Sequence, residues 1–202
     1  MKYKLLIPIA ALMLLSVVLI PLRAGSQYQA NTGAANTKDD VVTGTDVNDK
    51  INTGDGSDNI SGKGGNDFIE AGEGDDLVSG GAGDDKIQGG PGDDYIMGNE
   101  GNDKVSDGPG NDFINLGPGN DILVYYLDNN KGYKDYAVGG EGDDTLIIVS
   151  DDTLDDLMKN QIIKYYEQQN MVGADVGHVG KLNMTLGTSD FEHIMFATGF
   201  SF

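Results

Sequence analysis

The segment Gly80-Gly81-Ala82-Gly83-Asp84-Asp85-Lys86-Ile87-Gln88 is followed at once by Gly89-Gly90-Pro91-Gly92-Asp93-Asp94-Tyr95-Ile96-Met97, which has the same pattern. This nine-residue unit occurs nine times between residues 44 and 124. A branched apolar residue stands at the eighth position, and glycine stands at the fourth position of every copy except the first, which has Val47. Such a strict period predicts a repeat architecture. The sixth position is always aspartate: Asp49, Asp58, Asp67, Asp76, Asp85, Asp94, Asp103, Asp112 and Asp121.

The residue types within the unit predict its local structure. The first six positions are rich in glycine, aspartate and asparagine, and these residues build turns because they tolerate positive φ. The last three positions predict a short strand in which only the central side chain faces inward. Two units then form a flattened coil of eighteen residues. Stacked coils place two apolar rows inside, with Ile51, Ile69, Ile87, Val105 and Leu123 in one and Ile60, Val78, Ile96 and Ile114 in the other.

One apolar side chain per nine residues is a thin core. Ordering the backbone costs about 1–2 kcal/mol per residue, which so little apolar burial does not offset. The turns offer carboxylates and glycine carbonyls, and ligands that are all oxygen suit calcium. Residues 44–124 also carry 18 acidic and 4 basic residues, a net charge of −14. Without a cation this stretch repels itself, so we expect metal binding and folding to be one event.

The pattern Gly-Gly-x-Gly-x-Asp-x-apolar-x resembles the calcium-binding nonapeptide of hemolysin-type, or RTX, proteins. A tenth copy, Gly139–Ile147, stands alone after a gap. The resemblance implies a mainly β fold, a right-handed parallel β-roll, with each ion between turns eighteen residues apart. Asp49 would pair with Asp67, and so on to Asp121, which gives nine minus two, or about seven, Ca2+ ions. The implied metal ligands are these nine aspartates and Asp144.

The N-terminus predicts export. Lys2 and Lys4 precede an apolar run from Leu5 to Leu22, which is typical of a secretory signal. Residues 1–24 are therefore a signal peptide or, because the run is near the length of a minimal membrane span, a retained signal anchor. Both place the rest outside the cell, where calcium is plentiful. This differs from the C-terminal signal of familiar RTX proteins. The chain has no cysteine, which excludes a disulfide framework.

The remaining segments flank the repeats. Residues 25–43 are small and polar, and we expect a linker with a first strand near Val41 and Val42. Residues 125–138 contain four tyrosines. They predict either a looped-out insertion whose tyrosines cover the side of the roll or a contact surface for a glycan or a protein partner. Residues 139–150 hold the tenth repeat and a strand.

Residues 151–202 predict a small α+β C-terminal cap. Thr153 and Asp156 form a start similar to a capping box, and apolar residues then recur at helical spacing. Two strands follow, Lys181–Leu186 and Phe191–Ala197, with an expected turn at Gly187-Thr188. A cap of this kind would cover the open edge of a stacked roll.

The sequence contains no motif for catalysis. His-Glu-x-x-His, Gly-x-Ser-x-Gly and a cysteine nucleophile are absent, and His178 and His193 have no ligand-spaced partner. We therefore expect no enzyme, but an exported calcium-binding structural or cell-surface protein. The alternative is a calcium-dependent polysaccharide-binding module that uses Tyr126 or Tyr133, and a polysaccharide-acting enzyme is third. Expected partners are calcium and cell-envelope polysaccharide or surface proteins. A net charge of −20 argues against nucleic acid, and membrane contact is expected only through an uncleaved N-terminal segment.

Overall fold

A computed structural model describes residues 29–31, 38–130, 132–150, 159–160, 162, 178–179, 184–198 and 202, which form strands almost throughout. Within these ranges no helix is both long and apolar enough to cross a membrane. The strands in chain order are β1 (Gln29–Asn31), β2 (Val41–Thr43), β3 (Lys50–Asp55), β4 (Asn59–Gly64), β5 (Phe68–Glu73), β6 (Leu77–Ala82), β7 (Lys86–Gln88), β8 (Tyr95–Glu100), β9 (Lys104–Ser106), β10 (Phe113–Pro118), β11 (Ile122–Tyr126), β12 (Lys134–Glu141), β13 (Thr145–Val149), β14 (His178–Val179), β15 (Met184–Ser189) and β16 (His193–Ala197).

The strands form two eight-stranded sheets, and from β2 to β13 successive strands alternate between them. One sheet has the order β1-β3-β5-β7-β9-β11-β13-β16, and the other has the order β14-β15-β12-β10-β8-β6-β4-β2. Neighbouring strands are parallel, apart from the antiparallel pair of β14 and β15. Each strand therefore pairs with the strand one coil away. This confirms the predicted parallel β-roll.

The two predicted apolar rows lie between the sheets. Ile69 pairs in register with Ile51 and Ile87 in one sheet, as Val78 does with Ile60 and Ile96 in the other. Every residue of both rows is at most 1% exposed. The rows continue beyond the nine copies, because Leu123 pairs with Leu146, and Ile114 pairs with Ala137. Unit spacing alone was thus enough to predict these two rows.

Most strands are longer than the three residues expected from the repeat. β3 to β6, β8 and β10 each have six residues, so they run through the third position of the following copy. Side chains alternate along a strand, and the first position of that copy therefore also faces inward. Thr53, Ala71 and Leu116 occupy it and are 0% exposed. The prediction of one inward side chain per copy was wrong where the first position is not glycine.

The interruption of the repeat is shorter than predicted. β12 lies in the sheet and pairs with β10 at a separation of 23 residues, five more than one coil. Only residues 125–129 are therefore extra, and the prediction that all of 125–138 loops out was wrong. Tyr125 and Tyr126 extend β11, where they pair with Ile148 and Val149. Tyr125 is fully buried and does not cover the outer face.

The roll also begins earlier than residue 44. β2 pairs with β4, with Val42 opposite Ile60, and β1 pairs with β3, with Ala30 opposite Ile51. The predicted linker 25–43 thus contains two strands of the sheets. The predicted signal segment 1–24 lies outside the described residues.

The C-terminal strands form a further coil. β15 runs through Gly187 and Thr188 and pairs with β12, whereas β16 pairs with β13 in the other sheet. The predicted turn at Gly187-Thr188 was therefore wrong, and the chain changes sheets between Asp190, whose φ is +61°, and Glu192. Lys159, Asn160 and Ile162 are helical, and Ile162 is buried in the core. Most of the predicted helix lies outside the part of the chain described.

We expect Ile87→Ala to lower the free energy of unfolding by about 2–5 kcal/mol, because it leaves a cavity in a row with few other apolar contacts. Gln88→Ala, the next residue on the half-buried outer side of β7, is the matched control and should change it by less than about 0.5 kcal/mol. Urea unfolding in saturating calcium measures both. Equal effects would contradict the assignment of the interior row.

Candidate metal centres in the turns

The sixth-position aspartates of successive coils lie above one another in two columns, one on each side of the roll. In each column the backbone N–H of one aspartate donates to Oδ1 of the aspartate in the next coil. The N to Oδ1 distance is 2.8 Å from Asp49 to Asp67 and 2.8 Å from Asp67 to Asp85. The columns consist of Asp49, Asp67, Asp85, Asp103, Asp121 and Asp144, and of Asp58, Asp76, Asp94, Asp112 and Asp135.

The second carboxylate oxygen, Oδ2, has a different environment. In nine of these aspartates it is buried and accepts no hydrogen bond from any described residue: Asp58, Asp67, Asp76, Asp85, Asp94, Asp103, Asp112, Asp121 and Asp144. Burying a carboxylate oxygen without a donor or a counter-ion is costly. The same open position recurs in coil after coil. It is the position from which a carboxylate would bind a cation.

The glycines show what surrounds Oδ2. A Cβ atom placed on Gly62, Gly80 or Gly98 would collide with Oδ2 of the aspartate five residues later. It would also collide with the carbonyl oxygen of the corresponding residue in the next coil. Carboxylate and carbonyl oxygens from two coils therefore converge on one small space. Flexible, oxygen-only coordination of this kind fits calcium.

A second glycine requirement lies at the fourth position. Gly83 has a φ of +124°, and a Cβ atom there would collide with the carbonyl of Gly65 in the preceding coil. An L side chain rarely adopts this φ, and the stacking of the coils leaves no room for one. This explains why the fourth position is glycine in nearly every copy.

Burial raises the pKa of the column carboxyls. Desolvation is the largest cause, and the hydrogen bond from the neighbouring aspartate N–H only partly offsets it. The pKa rises to about 7 for Asp67 and to about 8 for Asp94. It rises to about 7 for Asp103 and Asp112, and to about 6 for Asp76, Asp85, Asp121 and Asp135. These carboxylates would be stabilised in their charged form by a cation in the turn.

The first turn departs from this pattern. Oδ2 of Asp49 accepts hydrogen bonds from the backbone N–H of Thr45 at 2.6 Å and from its Oγ1 at 2.9 Å. Thr45 stands where other copies have glycine or another residue without a hydroxyl. The sequence indicated Val47 as the irregular residue of this copy. Val47 is 46% exposed, and it is Thr45 that hydrogen-bonds to the Asp49 carboxylate.

Sequence analysis missed three acidic residues that extend the columns. Asp40 N–H donates to Oδ1 of Asp58 at 2.7 Å, and Asp112 N–H donates to Oδ1 of Asp135 at 3.0 Å. At the far end Asp144 N–H donates to Oε2 of Glu192 at 2.7 Å. The available signal was an acidic residue two positions before an inward apolar one, as in Asp135-Tyr136-Ala137 and Glu192-His193-Ile194.

The fifth position forms a separate, exposed ladder. Here the side chain accepts a hydrogen bond from the backbone of the next coil, as in Asn66 N to Asn48 Oδ1 at 2.9 Å and Asp84 N to Asn66 Oδ1 at 3.1 Å. Oδ1 of Asp143, which also stands at the fifth position, lies 2.9 Å from Nε2 of His193. Surface hydrogen bonds thus account for the fifth position, which leaves the sixth as the position with open, buried oxygens.

A family model of the RTX calcium-binding nonapeptide repeat matches the chain at residues 34–69, 70–105, 88–123, 97–132 and 131–147. These ranges run from 34 to 147, more than half of the chain, and they coincide with the stacked coils. The chain belongs to the RTX calcium-binding repeat family. No curated protein matches it. RTX repeats bind Ca2+, so calcium is the cation that the converging oxygens of these turns suit.

We expect the two positions of the RTX turn to respond differently to loss of charge. Asp85→Asn should remove two bound calcium ions, because Asp85 is bonded to both Asp67 and Asp103. Asp84→Asn is the matched control and should remove none, since asparagine can still accept the bond from Asn102. Calorimetric titration counts the ions.

The same titration tests the length of the column. Asp121 ends the uninterrupted series of copies, but it is bonded to both Asp103 and Asp144. Asp121→Asn should therefore cost as many ions as Asp85→Asn. A smaller loss would show that Asp121 and Asp144, which pair across the interruption, do not bind an ion between them.

Proposed function

We propose that this protein is an exported, calcium-folded RTX roll that serves as a structural or cell-surface component. The observation that carries the proposal is the set of nine buried Oδ2 atoms in the two columns, none of which has a hydrogen-bond partner among the described residues. Buried carboxylate oxygens in such a row need cations to be stable, and membership of the RTX family indicates that the cation is calcium.

The proposed ligands are the column aspartates. Each ion would lie between two coils, held by a carboxylate from each and by the carbonyl oxygens of the glycine-rich turns. The sequence predicts seven such pairs, and the bonds from Asp112 to Asp135 and from Asp121 to Asp144 add two. We therefore propose nine pair sites, with Asp49, Asp58, Asp67, Asp76, Asp85, Asp94, Asp103, Asp112, Asp121, Asp135 and Asp144 as ligands.

Bound calcium would neutralise the columns and cross-link each coil to the next. Without it, carboxylates in adjacent coils repel one another, and the thin apolar interior does not offset that repulsion together with the chain entropy. Folding and calcium binding would then be coupled, so the calcium concentration of the surroundings would determine whether the roll is folded. Support for an extracellular site of action comes from the N-terminal sequence and from the abundance of calcium outside cells.

The positions of the tyrosines favour a structural role over a glycan-binding one. Tyr125 is fully buried, and its hydroxyl donates to Asp135 Oδ2 at 2.8 Å. Tyr136 stacks on Phe113 on the outer face of a sheet, with ring centroids 5.4 Å apart. Tyr133 is exposed, with 39% of its surface accessible, and Tyr126 is half-buried. One of the four tyrosines of 125–138 is thus in the core, and Tyr136 stacks in a row with Phe113 and Tyr95. We also propose no catalytic role, since the column carboxylates are committed to the turns.

We expect residues 25–202 to lack β-structure in EDTA and to gain it cooperatively near about 10⁻³ M calcium, the range of extracellular calcium modules. Magnesium at the same concentration should not substitute, because it requires a tighter octahedral site. Circular dichroism during each titration measures the change. A spectrum that is already folded in EDTA and indifferent to calcium would contradict the proposal.

We expect Tyr133→Ala to leave the calcium midpoint and retention at the cell envelope unchanged, because its side chain is outside the core and the columns. Tyr95→Ala, which alters another exposed ring, at the start of β8, is the control for general surface effects. Pull-down with envelope polysaccharide and cell fractionation provide the measurements. Saturable glycan binding by the unaltered protein that Tyr133→Ala abolishes would favour the binding-module alternative.

A further inference from the structure

One copy of the repeat has a carboxylate at its first position, which no other copy has. Asp107 stands at the first position of its copy, where Gly62, Gly80, Gly89 and Gly98 stand in others. That position faces the carboxylate five residues later, and here it brings a third carboxylate into a turn that already contains two. One oxygen each of Asp107, Asp112 and Asp135 lies within 4.8 Å of the others. The three residues are 1%, 3% and 3% exposed.

Unpartnered atoms distinguish this group from an ordinary acidic cluster. Oδ1 of Asp107, Oδ2 of Asp112 and Oδ1 of Asn130 are buried and have no hydrogen-bond partner among the described residues. Asn130 is itself 1% exposed, and its Nδ2 donates to Oδ2 of Asp107 at 3.3 Å. Tyr125 holds Oδ2 of Asp135. The neighbouring donors therefore fix some of the oxygens and leave others open.

The charge of the group is not balanced by the protein. In the part of the chain that the structure describes, no lysine or arginine forms an ion pair with any of the three carboxylates. Burial, together with the charges of Asp135 and Asp112, raises the pKa of Asp107 well above its ordinary value. Three carboxyls buried side by side need either protons or a cation.

We propose that Asp107, Asp112 and Asp135 form a metal site of a second type, which binds Ca2+ more tightly than the regular turns, with Asn130 as a neutral oxygen ligand. Both the choice of calcium and the comparison with the regular turns rest on the proposed function. Calcium–oxygen distances of about 2.3–2.6 Å allow ligand oxygens on opposite sides of one ion to be about 4.6–5.2 Å apart. The observed spread fits one ion, and affinity in such sites rises with the number of charged ligands.

The site also lies where the repeat is interrupted. Tyr125 begins the five extra residues, and Asn130 follows them directly. Asp107 and Asp112 belong to the coil before the interruption, whereas Asp135 belongs to the coil after it, 23 residues from Asp112. An ion here joins the two parts of the roll across the extra segment. The tightest site would thus stabilise a strand pairing whose connecting chain is five residues longer than one regular coil, which raises the entropic cost of closing it.

Terbium, a trivalent substitute for calcium with similar oxygen coordination, provides the test, because a tyrosine near the ion sensitises its luminescence. In a titration of the full-length protein with Tb3+ we expect the first ion bound to give tyrosine-sensitised emission through Tyr125. Asp107→Asn keeps the shape of the side chain but removes its charge, and it should weaken binding of that first ion by about tenfold or more. Glu141→Gln, which removes an exposed charge from the turn of a different copy, is the control and should leave the affinity of the first ion unchanged.

Two further measurements separate the possible results. Tyr125→Phe should reduce the emission of the first ion while calorimetry still records its binding. Unchanged first-ion affinity in Asp107→Asn would overturn the second-type site and leave the proposed function intact, as would unchanged emission in Tyr125→Phe. If the unaltered protein binds neither Tb3+ nor Ca2+, both proposals fail.

Discussion

The stacking of aspartate carboxylates in two buried columns is the constraint on which the rest of this structure depends. Each carboxylate uses one oxygen to hold the backbone of the neighbouring coil, as Asp67 does for Asp49. In nine of these aspartates the other oxygen has no hydrogen-bond partner among the described residues. A fold organised in this way is incomplete without a cation, because every added coil also adds buried negative charge. Calcium binding is therefore part of the architecture of an RTX roll.

The composition of the chain follows from that constraint. Glycine recurs because Cβ atoms would occupy the space where oxygens of two coils converge, as at Gly62 and Gly80. The apolar interior can be as narrow as two rows of single side chains, because a metal-linked turn replaces the stabilisation that a larger core or disulfides would provide. The outer positions are free to carry hydrogen-bond ladders such as Asn48 to Asn66.

The roll accommodates an interruption without losing register. Residues 125–129 are added between two coils, yet β12 resumes pairing with β10, and Ala137 takes its place in the interior row. Part of the addition is absorbed by the longer strand β11, which places Tyr125 in the core beside Asp135. The local excess of carboxylates at Asp107 lies at this same point. An irregular segment and an unusual set of ligands therefore coincide, which is the basis of the second-type site that we propose.

The sequence by itself determined the coil length, the two apolar rows and the two columns from Asp49 to Asp121, because all of these repeat at fixed intervals along the chain. It also identified Asp144 as a member of the repeat. Only the tertiary structure decided that Asp135 and Glu192 continue the columns, since their partners lie 23 and 48 residues away and no period connects them. The same holds for Asp107, Asn130 and Tyr125. Spacing predicts contacts only while the repeat is unbroken, and beyond a break the pairing of strands determines which residues meet.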